Sequence, residues 1–334
     1  MKIFIKRALL FVPLYFALAF LPVLFGAGPD LHATYFSKGI SLAFVILFGP
    51  IMGLLVFSGQ FLVASIIGIP FTDSLILALV SASFTVIAGL ALKRLRNSTI
   101  PHDHKALIAL FCLIIFVFHP VAVASARLLG YSPGEDLLYL LDGWLAYGNG
   151  QVVVTPLVLV SYSWYRSGNG WPGVREALIW AATAGLLTLF LVWAAGYAPV
   201  GYRQLTIGLL IPFFIILSLR KDPLPVCAAL FSTTLVVCLA GDLIPVSGHR
   251  LFQDHVVLHL FMIGLNISAL LIVSFSQNER ELREVLRESD DQYGCCSNTW
   301  IMPFFTPASF RRCRAVPLGS RSCSGMTSTG KWSA

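Results

Sequence analysis

The polar residues best placed to do chemistry in this chain gather within one apolar stretch, between positions 137 and 162. Hydrogen-bonding side chains are mixed there with residues that weaken a helix, namely Asp142, Gly148, Asn149, Gly150, Gln151 and Pro156. A helix loosened inside a membrane frees backbone groups that neighbours or water must satisfy. Intramembrane ionisable residues usually face a bundle interior or a cavity. The candidate ligand-sensing residues are therefore Asp142, Asn149, Gln151, Gly150 and Pro156. A hydrogen-bond network between helices, without a ligand, is the favoured alternative, because polar residues often serve only to join helices.

Histidines form a second candidate group, for metal binding or pH sensing: His255, His259 and His119. His255 and His259 are four residues apart and therefore share one face of a helix. Imidazoles bind metals and titrate near neutral pH. A haem would need two axial histidines at similar depth, but His119 is predicted ~15 Å and His259 ~8 Å below the outer surface. Interfacial histidines with satisfied rings are therefore favoured, and we expect no cofactor.

The elements that must position these residues are long apolar stretches. Hydrophobic residues make up 57% of the chain and charged residues only 12%, about half the charged share of an ordinary soluble domain. Crossing ~30 Å of hydrocarbon takes ~20 mostly apolar residues, and barrel strands would be shorter and alternating. The sequence thus predicts an all-α, polytopic transmembrane helical bundle of eight to ten membrane segments. The predicted spans are 8–26, 74–92, 106–129, 137–162, 176–195, 204–219, 226–243 and 255–275.

The distribution of basic residues predicts the topology. If the N-terminus is cytoplasmic, eleven basic residues fall in cytoplasmic segments and four fall outside, namely Lys38, Arg127, Arg203 and Arg250. Positive charge favours the cytoplasmic side of short loops, so both termini are predicted to be cytoplasmic. Residues 39–68, interrupted by Gly49-Pro50, are either two short spans or a re-entrant hairpin.

Neither nucleic-acid binding nor catalysis is expected. The net charge is +7, but residues 294–334 contribute five of these charges, so no large basic surface remains. The sequence contains no phosphate-binding loop, no zinc-protease motif and no plausible catalytic triad. We therefore expect no enzyme activity.

Two segments resemble a family of bacterial sensory modules. Residues 35–43 read Tyr-Phe-Ser-Lys-Gly-Ile-Ser-Leu-Ala before Phe48-Gly49-Pro50, similar to the family opening Trp-Pro-x-Gly-Ile-Ala-Leu. Residues 144–156 read Trp-Leu-Ala-Tyr-Gly-Asn-Gly-Gln-Val-Val-Val-Thr-Pro, similar to its Trp-Leu-Gly-Asp-x-x-Gly-x-x-x-x-Thr-Pro segment. The family is the first type of membrane-associated sensor (MASE) domain, found at the N-terminus of histidine kinases and diguanylate cyclases. Tyr147 stands where the family often has Asp, so Asp142 or Asn149 would have to replace that acid.

The chain changes character after the last span. Residues 1–276 are predicted to form the membrane sensor domain, and residues 277–293 an amphipathic signalling helix whose apolar face holds Leu282, Val285, Leu286 and Ser289. In sensor proteins such a helix pairs with its twin, so we expect a homodimer. A plain solvated helix end is the alternative, because two heptads do not establish a coiled coil. Residues 286–293 also resemble the run-in to a PAS domain.

Residues 294–334 contain no acid, four cysteines without zinc-site spacing and no apolar periodicity. Two hypotheses stay open for this segment. It is either a disordered basic tail beside the membrane or the product of a reading-frame shift near Gly294 that removes an output domain.

The expected function is that of a sensory module in the bacterial inner membrane, belonging to a signal-transduction protein and lacking its output domain. It would receive a stimulus within the bundle or from a membrane-protein partner. The alternatives are a transporter that uses the predicted helix break at 142–156 and a membrane haem or metal protein.

Overall fold

The computed structural model describes residues 2–24, 36–95, 117, 119–128, 137–168, 171–197, 203–243 and 255–300. Within these ranges all regular structure is helical and no strand occurs, which confirms the predicted all-α class. The helices are α1 (Lys2–Leu24), α2 (Phe36–Phe48), α3 (Gly53–Ile66), α4 (Phe71–Leu95), α5 (His119–Leu128), α6 (Leu137–Arg166), α7 (Trp171–Tyr197), α8 (Arg203–Gly208), α9 (Leu210–Arg220), α10 (Pro223–Leu243) and α11 (His255–Trp300). Most of the predicted span 106–129 lies outside the described residues.

Three of the described helices are long and apolar enough to cross a membrane: Phe71–Arg94 in α4, Gly173–Tyr197 in α7 and Leu258–Ser289 in α11. Large apolar side chains also face outward, such as Leu186 and Phe190 on α7, which are 68% and 58% exposed. An outward apolar surface of this kind is stable against lipid rather than water. These features mark the chain as a membrane protein, and the number of crossings stays a prediction.

Aromatic side chains lie exposed at both ends of α7. Trp171 begins the helix and is 75% exposed, while Trp193 and Tyr197 lie near its other end with ring centroids 5.0 Å apart. Tryptophan and tyrosine concentrate at membrane–water interfaces, because their rings are apolar and their N–H or O–H groups are polar. The pattern is the one expected of a membrane-crossing helix, whose two ends would lie in the two interfaces.

The 39–68 region forms a helical hairpin. Gly49 has φ 92°, a conformation that favours glycine, and Pro50 opens a single 3-10 turn, Pro50–Met52, between α2 and α3. Contacts with α4 show the directions in which α2 and α3 run. Gly89 packs on Val45 near the end of α2, whereas Gly53 packs on Val86 at the start of α3. Phe61 further along α3 reaches Phe71 at the start of α4, with centroids 5.5 Å apart. Helix α3 therefore runs antiparallel to α4. Helix α2 runs parallel to α4, because Lys38 near its start contacts Ser81 of α4, as described below.

The predicted span 204–219 is two helices rather than one. Helix α8 ends at Gly208 and α9 begins at Leu210, with Leu209 between them. Pro212 explains the interruption. It lacks an N–H, and its ring clashes with the carbonyl of the residue four positions earlier, which is Gly208.

The chain divides into two compact units, residues 1–281 and 282–334. The first holds the helical bundle, in which α7 packs closely on α10 and α2 on α6. Small residues permit the close packing of α7 on α10, because a Cβ on Gly185 would lie 2.6 Å from Ser232 Oγ. In the second unit the described residues are helical, and Leu282, Val285 and Leu286 are exposed.

Candidate functional site

A buried lysine lies among helices α1, α2, α3 and α4. Lys38, in α2, is only 4% exposed, and its Nζ donates to Gln60 Oε1 in α3 at 2.7 Å and to Ser81 Oγ in α4 at 2.6 Å. Tyr15 Oη in α1 donates to the same Gln60 oxygen at 3.0 Å. One polar cluster therefore joins four helices. Counting Lys38 as a loop charge was wrong, because its side chain is enclosed by the bundle. When Lys38 is left out of the charge count, three basic residues remain in the segments predicted to lie outside the cytoplasm.

The ring of Tyr147 forms another wall of the lysine site. Lys38 Nζ lies 5.2 Å from the ring centroid, within the range of a cation–π contact. Lys38 and Tyr147, one from each of the two segments singled out in the sequence, are in contact here. In the described part of the chain, no carboxylate forms an ion pair with Lys38. A cation in a low-dielectric site with hydroxyl and amide neighbours can bind an anion or exchange a proton.

A second polar cluster joins α6, α10 and α11. Asn266 Nδ2 donates to Asn149 Oδ1 at 3.0 Å and to Thr234 Oγ1 at 3.4 Å, and all three residues are completely buried. Asn266 Oδ1 has no hydrogen-bond partner among the described residues. This geometry supports the network interpretation of Asn149. The sequence analysis missed Asn266 and Thr234, although an asparagine within an apolar stretch is itself a signal.

The predicted helix break at 142–156 does not occur in the structure. Helix α6 is continuous from Leu137 to Arg166, with Pro156 inside it. The reason is tertiary packing. A Cβ on Gly39 of α2 would lie 2.5 Å from both Gly150 O and Val154 Cβ, so the two backbones are in contact. Thr155 Oγ1 also donates to Gly39 O at 3.1 Å. The small residues of this segment serve close helix packing.

The remaining sensing candidates also belong to α6. Gln151 is buried in α6, and Pro156 lines a cavity one to two turns further along the same helix. Asp142 belongs to α6, but its side chain lies outside the described residues. The structure brings Asn149 together with Asn266.

The histidine candidates are described only in part. His259 in α11 is buried and has an interaction partner. The side chains of His119 and His255 lie outside the described residues. Among the described side chains, no three of His, Cys, Asp and Glu are grouped to hold a metal ion. The alternative of a haem or metal protein stays an untested hypothesis.

These features define a class, a membrane-embedded helical bundle with two buried polar clusters among its described residues. Comparison with known proteins goes no further, since no family model, curated protein or solved structure matches the chain.

If Asn149 acts only within the network, Asn149→Leu should lower the free energy of unfolding by ~0.6 kcal/mol, and at most by ~1.7 kcal/mol. Asn266 would lose one acceptor and keep Thr234. The double variant Asn149→Leu/Asn266→Leu should cost less than the sum of the single changes, because no buried amide is left unpaired. Unfolding midpoints in a denaturant titration of the protein in bicelles would measure this. If the effects of the two single changes on the free energy of unfolding added strictly, the hydrogen bond between Asn149 and Asn266 would be contradicted.

Proposed function

We propose that the chain is an integral membrane sensory module of a bacterial signal-transduction protein, of the kind that serves histidine kinases or diguanylate cyclases. The observation that carries the proposal is the continuity of α11. It begins at His255 among apolar residues and continues as one helix to Trp300. A helix that continues from the bundle into the following segment is a means of passing a displacement along the chain.

Where α11 leaves the bundle, its side chains bond to the corner formed by the end of α9 and the start of α10. Arg280 Nη2 donates to Leu219 O at 2.8 Å, and Ser276 Oγ donates to the same carbonyl at 3.2 Å. Arg280 Nη1 also lies 3.6 Å from Asp222 Oδ1. The carbonyl belongs to the last turn of α9, where the helix dipole favours a cation. A shift of this corner would therefore move α11 directly.

Several further properties follow the resemblance to the MASE family. The chain would lie in the bacterial inner membrane as a multi-pass protein with both termini in the cytoplasm. The exposed Leu282, Val285 and Leu286 would pair with a second copy of the chain in a homodimer. This module would have no catalysis of its own, and a PAS or catalytic domain would follow it in full-length relatives. The stimulus would come from within the bundle or from a membrane-protein partner.

A fusion of residues 1–293 to a diguanylate cyclase catalytic domain tests the proposal. We expect Arg280→Gln to change cyclic di-GMP output two- to fivefold, because the lost contacts are worth about 0.5–1 kcal/mol of bias between two states. Arg287→Gln, on the exposed face of the same helix, should leave output unchanged. Equal output from the unaltered fusion, Arg280→Gln and Arg287→Gln at equal expression would show that the Arg280 contacts do not bias the signal.

Reporter fusions test the proposed topology. Alkaline phosphatase is active only outside the cytoplasm, so fusions after Arg96 and after Lys221 should be inactive. Fusions near Ser132 and Ser247 should be active. β-Galactosidase fusions at the same four positions provide the control and should give the opposite pattern. A reversed pattern would place both termini outside.

A transporter is the second candidate, and buried Lys38 is the observation that favours it. Intramembrane cations often mark ion or substrate paths. The continuous α6 removes the discontinuous helix on which the sequence-based hypothesis depended. Proton or anion flux into proteoliposomes that is lost in Lys38→Met would favour the transporter over the sensor.

A further inference from the structure

A long cavity of about 370 Å³ lies among α6, α7, α10 and α11. Its volume falls within the range of small-molecule sites. Pro156 and Ser167, which both line the cavity, are separated by ~16 Å along the axis of α6, since a helix rises ~1.5 Å per residue. One leaflet of a bilayer contributes ~15 Å to a hydrocarbon core of ~30 Å. The cavity therefore has the length of one leaflet.

One end of the cavity is apolar and the other end is polar. Pro156 of α6 and Leu270 of α11 line the apolar end. At the other end the lining residues include Ser167, Asp222 and Gln277. Ser167 is exposed, and the side chain of Asp222 is 75% exposed, so the polar end opens at the surface of the protein. We call this opening the mouth of the cavity.

The surroundings of the mouth are those of a membrane–water interface. Gly173, which lines the cavity, follows the exposed Trp171 by two positions at the start of α7. Charged side chains lie close by, at Glu176 and Asp222 in the lining itself. Tryptophan and charged residues occur together at the level of lipid headgroups. A lipid headgroup can therefore reach the mouth, and an acyl chain can extend from it into the cavity.

The two carboxylates in the lining are neutralised by basic neighbours. Glu176 Oε1 accepts a hydrogen bond from Lys221 Nζ at 2.7 Å. Asp222 Oδ1 lies 3.6 Å from Arg280 Nη1. These two pairs contribute no net charge at the mouth, so the sign of the charge there is decided by the residues around them.

Three exposed arginines flank the mouth and form no ion pair within the described part of the chain. They are Arg166, Arg175 and Arg220, and each lies within two positions of a residue that lines the cavity. Glu279 and Glu281, further along α11, have interaction partners of their own. Even when these two acids are counted, the balance around the mouth stays positive. The mouth therefore attracts negative charge.

We propose that the cavity holds one acyl chain of an anionic phospholipid from the surrounding bilayer, with the headgroup among Arg166, Arg175 and Arg220. The apolar cavity of leaflet length fits the chain, and the surplus of positive charge fits the headgroup. A zwitterionic lipid has no net charge to match the arginines, and a free inorganic anion would leave the apolar end unfilled. This binding does not depend on whether the chain signals.

A photoactivatable lipid tests the proposal. The full chain would be reconstituted in phosphatidylcholine nanodiscs with a trace of phosphatidylglycerol that carries a diazirine at the end of one acyl chain. Crosslinked peptides would be mapped by mass spectrometry. We expect crosslinks close to Pro156 and Leu270, at the apolar end of the cavity. Phosphatidylcholine with the same diazirine is the control and should label these positions about fivefold less or weaker still, since one basic residue near an anionic lipid is worth about that factor.

Substitution of the arginines tests the position of the headgroup. Arg166→Gln should lower labelling by phosphatidylglycerol about two- to fivefold. The triple variant Arg166→Gln/Arg175→Gln/Arg220→Gln should lower it to the level of the phosphatidylcholine probe. All three side chains are exposed, so the fold does not depend on them. The matched control is Lys93→Gln/Arg94→Gln, which removes two exposed basic residues at the end of α4 and should leave labelling in the cavity unchanged.

Filling the cavity tests the position of the acyl chain. Ser163 lines the cavity, so Ser163→Phe should place a ring in it and abolish the crosslinks at its apolar end. Ser58→Phe, on the exposed side of α3, should leave them unchanged. If Ser163→Phe does not fold, the arginine variants decide alone. Unlabelled phosphatidylglycerol should compete with the probe more strongly than unlabelled hexadecanoate, which represents a free fatty acid.

Four results would overturn the proposal. They are equal labelling of the apolar end by the two lipid probes, unchanged labelling in the triple arginine variant, crosslinks confined to the outward faces of the helices, and stronger competition by hexadecanoate than by unlabelled phosphatidylglycerol.

Discussion

Gly39→Ala is expected to lower the free energy of unfolding by about 2–3 kcal/mol, the upper part of the range for overpacked sites. The new methyl group would lie 2.5 Å from Gly150 O and from Val154 Cβ. The first of these is a backbone atom, which cannot rotate away as a side chain can. Helices α2 and α6 would have to separate, and the Thr155 bond to Gly39 O would lengthen or break. Thermal unfolding in bicelles, followed by circular dichroism, would measure the loss.

Gly264→Ala in α11 is the matched control. Nothing lies within 4 Å of a Cβ at that position, so the substitution should be neutral or stabilising by up to about 1 kcal/mol, since alanine favours helix more than glycine does. If Gly39→Ala proved as stable as Gly264→Ala, the close approach of α2 and α6 would be wrong.

Gln60→Leu is expected to lower the free energy of unfolding by about 2 kcal/mol. Gln60 Oε1 accepts hydrogen bonds from both Lys38 Nζ and Tyr15 Oη. Its removal leaves a buried ammonium with Ser81 as its remaining hydrogen-bond acceptor, and an unsatisfied charged donor costs more than a neutral one. Lys38→Met should be neutral or stabilising, because burying a charge carries a desolvation cost of several kcal/mol.

The double variant Lys38→Met/Gln60→Leu tests whether the buried ammonium of Lys38 causes the stability loss of Gln60→Leu. Without the ammonium, Gln60→Leu should cost about 1 kcal/mol less than it does in the unaltered chain. Ser58→Ala on the exposed side of α3, where the hydroxyl bonds only its own helix, should stay within about 0.5 kcal/mol. Additive effects of Lys38→Met and Gln60→Leu would mean that the two side chains do not interact.

The helices themselves could be predicted from the sequence, because their cause is local. A long apolar stretch forms a helix in lipid regardless of its neighbours, and this principle predicted the apolar helices α4, α7 and α11. The break predicted at Gly148–Pro156 also used a local argument, but packing against Gly39 overrides the weak helix propensity there. Propensity differences of about 1 kcal/mol per glycine are small beside the packing of two helices.

The polar clusters could be predicted only in part. Asn149 was recognisable as a polar residue in an apolar stretch, but its partner Asn266 lies 117 positions away, and pairing at that distance is decided by the fold. Lys38 was misassigned for the same reason, since its partners Gln60 and Ser81 are 22 and 43 positions away. Nothing near Trp164 or Ser274 in the sequence indicates that both line one cavity.

The aromatic residues at the two ends of α7 make this helix a measure of bilayer thickness. Trp171 and Trp193 are 22 positions apart, which corresponds to ~33 Å along a helix axis and is close to the ~30 Å of an average hydrocarbon core. In a thinner bilayer the helix would tilt, and in a thicker one the lipid around it would have to compress. Gly173 and Glu176 lie within the first two turns after Trp171, so the cavity would be carried with that end of the helix. Lipid chain length would therefore alter the depth at which the cavity meets the interface.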